Sequence, residues 1–150
     1  MSVFDRIPLN ARQLRTVADR RYVDADYLRA SGRNRHANGV LYLGGFVLEC
    51  LLKARLLEAF PQLTLPPRPG DARGLRRYDL LWRHDLAAIV EELPGLVQRL
   101  NDLGAGGRFA LTLRSLCGRW TIFARYSPKT ATMQEADLFL DQIKDLKPWL

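Results

Sequence analysis

The sequence predicts an all-α protein, an up-and-down bundle of about five main helices. Three observations carry that prediction. Apolar residues recur at helical spacing in several segments, as at Leu14, Val17, Ala18, Ala25 and Leu28. Helix start and stop signals punctuate the chain, among them Asn10 with Gln13, Gly32, Pro61, and Thr132 with Glu135. No alternating run is long enough for a sheet, and no internal repeat is present. A chain of 150 residues is long enough for one domain with its own core and short for two.

The elements follow in order. Asn10 caps a helix that runs to about Ala30 and is stopped by Gly32. The basic turn SGRNRHANG leads into a long apolar helix from about Ala37 to Phe60, closed by Pro61. Gly44 and Gly45 lie inside it, and each costs about 1 kcal/mol against Ala. Such a pair points to close approach of a second helix or subunit. Residues 61–74 hold four prolines and two glycines and read as a connection without regular structure. Asp85 caps a helix through Leu93, Pro94 opens a short one ending near residues 104–107, and another spans about Arg108 to Cys117. A break at residues 125–129 precedes the last helix. Thr132 and Glu135 form its capping box, and Met133, Ala136, Leu140, Ile143 and Leu146 its buried stripe.

Composition bounds the setting. Hydrophobic residues are 47% and charged residues 26%, as in ordinary soluble domains. No stretch reaches the ~18 uninterrupted apolar residues of a membrane span. The N-terminal MSVFDRIPLN has no signal-peptide pattern, so the expected location is the cytoplasm. Cys50 and Cys117 are expected as buried thiols. Neither has a His or Cys at metal-ligand spacing, so neither a metal nor another cofactor is predicted. Net charge is +7, carried by 19 arginines and 4 lysines. Arginine's planar fork suits phosphate. Genomic base composition and solubility would produce the same excess, and both readings stay open.

Glu49 and Lys53 raise the question of chemistry. They sit four residues apart on one stripe with Tyr42, Phe46 and Phe60, inside the most apolar helix. Burying both costs several kcal/mol, which the pair alone does not recover. Further partners are then needed. His84 with Asp85, and Arg125 with Tyr126, are the candidates, as a satisfied structural network or as a ligand site.

These residues also carry a resemblance. Y-L-G-G-F-x-L-E-C-x-L-K at 42–53, H-D-L at 84–86 and R-Y-S-P at 125–128 resemble the HEPN domain, the higher eukaryotes and prokaryotes nucleotide-binding family, over about residues 11–150. The resemblance implies an up-and-down helical bundle, commonly homodimeric. Many such domains stand beside a minimal nucleotidyltransferase as toxin and antitoxin. Others are RNases whose R-x4-6-H motifs face each other across a dimer, and related helical domains help bind nucleotides. The sequence departs from the nuclease pattern. Its only histidines are His36 and His84, preceded at the right distance by Arg29 and Arg77, in a chain where arginine is abundant. No histidine follows His84, and the R-x4-H-x-Y variant is absent.

Three functions follow. The first is a homodimeric module that binds a nucleotide, RNA or a partner nucleotidyltransferase, as part of a toxin–antitoxin or defence system. The second is a metal-independent RNase in which His84 is the acid–base group and Arg77 the cation. The third is a purely structural interaction protein. Weaker signals are Trp82 among Arg76, Arg77 and Arg83, and Trp120 near Arg119 and Arg125, which suit either base stacking or a core. Residues 104–107 lack the lysine and preceding strand of a phosphate loop, and Glu91 with Glu92 reads as a solvated helix face.

Overall fold

Side-chain caps set where several of the helices begin. A computed structural model describes residues 10–150, so the expectation for the N-terminal segment, residues 1–9, lies outside the described residues. Asn10 accepts from the Gln13 N–H at 2.8 Å, Asp85 from Ala88 at 3.0 Å, and Thr132 and Glu135 close a reciprocal box. Seven α-helices result among the described residues: α1 (Ala11–Ala30), α2 (Ala37–Ala59), α3 (Ala72–Leu80), α4 (Leu86–Glu91), α5 (Pro94–Asp102), α6 (Arg108–Arg119) and α7 (Met133–Leu146). Among the described residues there is no strand. Among them no helix is long and apolar enough to cross a membrane.

The proline-rich connection is shorter than the sequence suggests. Pro61–Thr64 forms a 3-10 turn, and α3 begins inside the expected loop. Asp71 accepts from the Gly74 N–H at 2.8 Å and caps it. Gly74 is part of that cap: a Cβ there would lie 2.2 Å from Asp71 Oδ2. A glycine that looks like a helix breaker instead admits the capping carboxylate. Similarly, α4 stops at Glu91, two residues before Leu93, and Pro94 restarts the chain as α5.

Helix α2 is the centre of the bundle. Val47 to Ala54 is buried without interruption, as expected of a helix apolar on all sides. Helix α1 lies antiparallel to it, since Arg15 bonds Glu58 and Leu28 packs on Gly39. Helix α7 runs the same way as α2. Asn34 Oδ1 accepts from the Met133 N–H at one end, and Arg55 donates to the Trp149 carbonyl at the other. Helices α4 to α6 complete the core with Leu86, Ile89, Leu100, Leu113 and Leu116.

The two mid-helix glycines of α2 admit two aromatic rings. A Cβ on Gly45 would lie 1.8 Å from Trp120 Nε1, and one on Gly44 3.1 Å from Phe139. Trp120, just past α6, is thus seated against the α2 backbone and is 5% exposed. We expect Gly45→Ala to cost about 1–3 kcal/mol or more, because the indole must leave its seat. Gly118→Ala, in α6 with nothing within 4 Å of its Cβ, should instead stabilise by about 0.5–1 kcal/mol. Chemical denaturation of both variants checks the opposite signs.

Candidate functional site

The stripe of α2 that holds Tyr42, Phe46, Glu49 and Lys53 gathers side chains from three other segments. Lys53 Nζ lies 2.6 Å from Glu49 Oε1, and the two side chains are only 8% and 5% exposed. His84 closes the arrangement. Its Nδ1 stands 3.1 and 2.9 Å from the two oxygens of Glu49. The carboxylate, paired with Lys53, can only accept. Nδ1 therefore carries the hydrogen, which leaves Nε2 as the outer nitrogen. Among the described residues Nε2 has no hydrogen-bond partner, and the side chain is 41% exposed.

Local chemistry puts His84 there. Leu80 and Leu81 anchor the end of α3 in the core, and Asp85 starts α4 by capping the Ala88 N–H. The one residue between turn and cap, His84, is directed onto α2. Asp85 therefore serves the backbone and makes no described bond to the pair. Phe46 braces the imidazole edge-to-face at 6.0 Å, and Trp120 braces Phe46 at 5.8 Å.

Arg125 reaches the same stripe one step along. It lies in a 3-10 turn, Ile122–Tyr126, and its Nη1 donates to the Tyr42 hydroxyl at 3.3 Å. Its guanidinium stacks on the Tyr126 ring at 4.5 Å. The Tyr42 and Phe46 rings meet edge-to-face at 4.9 Å. Arg125 and His84 are thus joined through two aromatic rings of α2 rather than through Glu49.

Arg77 is placed elsewhere. Its Nε donates to Glu92 Oε2 at 2.7 Å, and its guanidinium lies 3.7 Å over the Phe60 ring. At 15% exposure it clamps α3 to α4 and to the end of α2. Glu92 is 11% exposed, so only Glu91 belongs to the solvated face expected for both. Trp120 is a core residue, whereas Trp82 is 59% exposed beside Tyr78. His36 accepts at Nε2 from Arg35 Nε at 3.2 Å, in the turn before α2.

Sequence reasoning missed Tyr42 as the group that receives Arg125, and Glu92 as the partner of Arg77. Tyr42 was legible as a stripe member with a hydroxyl. The Arg77–Glu92 bond has no local signal, because it forms only when α3 folds back on α4. Among the described residues no group of three or more His, Cys, Asp or Glu could hold a metal ion.

Cys50 and Cys117 are free and buried. Burial pushes their thiols up to about 11 and about 12, with the Glu49 charge adding to the rise at Cys50. Native protein at pH 8 should therefore resist a disulfide-exchange reagent that titrates both thiols in denaturant. Both folded pKa values lie above the usual thiol value of 9.0. The stability these thiols contribute is full below about pH 9 and is lost as pH rises through about 11 to 12.

Removing one partner of the buried pair leaves the other charge stranded. Lys53→Met alone should cost about 3–5 kcal/mol, and Glu49→Leu with Lys53→Met clearly less. Equal losses in the single and double variants, read by urea denaturation, would contradict a buried ion pair. In comparisons with known proteins, no family model, curated protein or solved structure matches this chain.

Proposed function

We propose that this chain is a HEPN-like module that acts as a homodimer and binds the phosphate of a nucleotide or of RNA, without chemistry of its own. In a toxin–antitoxin or defence system its partner would be a minimal nucleotidyltransferase. The observation that supports binding most is His84. Its ring is oriented by a buried ion pair, yet its outer nitrogen is unbonded and the side chain is part exposed. The outer nitrogen is reachable from solvent, so a ligand can displace water there. A phosphate oxygen is a suitable partner for Nε2, and the exposed Arg125 guanidinium on the same stripe supplies a second contact. The net charge of +7 favours the encounter.

One observation favours a catalytic reading. A carboxylate behind Nδ1 is how an imidazole is set up for acid–base work at Nε2. In the Arg77/His84 form of an RNase, however, the cation must be free to face the reacting phosphate. Arg77 is bonded to Glu92 and stacked on Phe60. That engagement supports binding over cleavage.

The test is fluorescence anisotropy with labelled ATP and a labelled single-stranded RNA, at two salt concentrations. We expect His84→Ala and Arg125→Ala each to weaken binding by about three- to tenfold and Arg125→Ala to flatten the salt dependence. The same RNA incubated in EDTA and run on a gel tests cleavage. No binding of either probe by the wild type would refute the module. Cleavage lost in His84→Ala and Arg77→Ala would replace it with the RNase. Sedimentation as a monomer at all concentrations would remove the homodimer.

A further inference from the structure

A second feature lies on the far side of Trp120. The start of α2, the connection between α6 and α7, and the outer face of α7 enclose an open groove of about 680 Å³. Leu41, Trp120 and Phe139 form its floor, and Phe123 and Leu138 stand on its walls. The wall residues are 71% and 58% exposed, high for two large apolar side chains lining one cleft.

The groove has a sign. Arg119 and Lys129 line it, and Arg125 follows Ala124, which also lines it. Elsewhere Arg15, Arg21, Arg29, Arg55, Arg76, Arg77 and Arg83 are matched by carboxylates, while others such as Arg12, Arg20 and Arg73 have no described ion pair; what marks the groove is that its cations stand beside exposed apolar walls. Among the described residues the three groove cations have no carboxylate within 4.0 Å: Arg119 bonds Gln142, Arg125 bonds Tyr42, and Lys129 has no described acceptor for its ammonium. The one acidic residue of the lining, Glu135, is turned to the Thr132 amide and hydroxyl in the α7 capping box. The cleft therefore combines apolar walls with a cationic rim.

We propose that this groove receives an acidic amphipathic segment of a partner polypeptide. Its apolar side chains would seat between Phe123 and Leu138, and its carboxylates would meet Arg119, Lys129 and Arg125. A single nucleic-acid strand suits it less. Stacking needs free ring faces. Trp120 and Phe139 are 5% and 6% exposed and the Tyr126 ring already carries Arg125, which leaves Phe123 as the single open ring of the lining, too few for a run of stacked bases. Aliphatic Leu41 and Leu138 complement aliphatic anchors. The groove does not use His84 and shares only Arg125 with the phosphate site, so the wall variants Phe123→Ala and Leu138→Glu separate this proposal from phosphate binding.

The test uses a labelled synthetic peptide with Leu and Phe at helical spacing and Glu elsewhere, read by anisotropy. A control peptide of the same composition has its apolar positions scrambled. The expected result is saturable binding of the first peptide only. Phe123→Ala and Leu138→Glu should each weaken it about tenfold, and Lys129→Glu about threefold with a smaller salt effect. All three substituted side chains are exposed, and circular dichroism confirms that the variants fold. Equal binding of the scrambled peptide, or unchanged affinity in both wall variants, overturns the proposal. So does loss of single-stranded RNA binding in the wall variants without any peptide binding, which would make the groove a nucleic-acid site. A dimer that dissociates on Phe123→Ala would assign it to a second copy of this chain.

Discussion

Glu49 and Lys53 occupy the stretch of α2, Val47 to Ala54, that is buried on every side, and the surroundings of the site follow from that constraint. A carboxylate and an ammonium taken out of water lose several kcal/mol of hydration, and a single contact at 2.6 Å does not replace it. The second oxygen of Glu49 needs a donor. His84 supplies one from the short connection between α3 and α4, just before the Asp85 cap. The imidazole is in turn held by Phe46, and Phe46 by Trp120. Satisfying one buried charge thus fixes the orientation of a ring whose other edge remains available.

Backbone packing and site geometry meet at Trp120. Gly45 carries no Cβ, so the indole lies directly on α2. From that seat Trp120 supports Phe46 on one side and floors the apolar groove on the other. Its Nε1 is buried and makes no hydrogen bond to the described residues. The glycine that costs helix propensity in α2 is therefore what brings the α6–α7 connection, with Arg125 and Phe123, close to the stripe.

Arginine is used in two ways. Several on α1 to α3 bind the bundle: Arg15 to Glu58, Arg29 to Asp141 and Asp26, and Arg77 to Glu92. Exposed pairs of this kind contribute little each. Arg77 differs, since its 15% exposure and its contact with Phe60 make it packing as much as charge. Around the α6–α7 connection Arg119, Arg125 and Lys129 have no described carboxylate and stand beside the exposed apolar walls of the groove.

The all-α class, the ends of most helices and the anomaly of Glu49 and Lys53 were determined by the sequence alone. Apolar period, capping residues and the i, i+4 spacing of the pair are local properties, readable wherever the chain goes. Helix α3 escaped because Gly70 and Gly74 look like breakers until Asp71 is seen to cap through Gly74. Only the tertiary structure decided which partner each charge obtained. It gave Glu49 to His84, Arg125 to Tyr42 and Arg77 to Glu92, and left Asp85 to its cap. Those pairings join residues distant along the chain, and they depend on how α3, α4 and the α6–α7 connection fold back on α2, which no local pattern encodes.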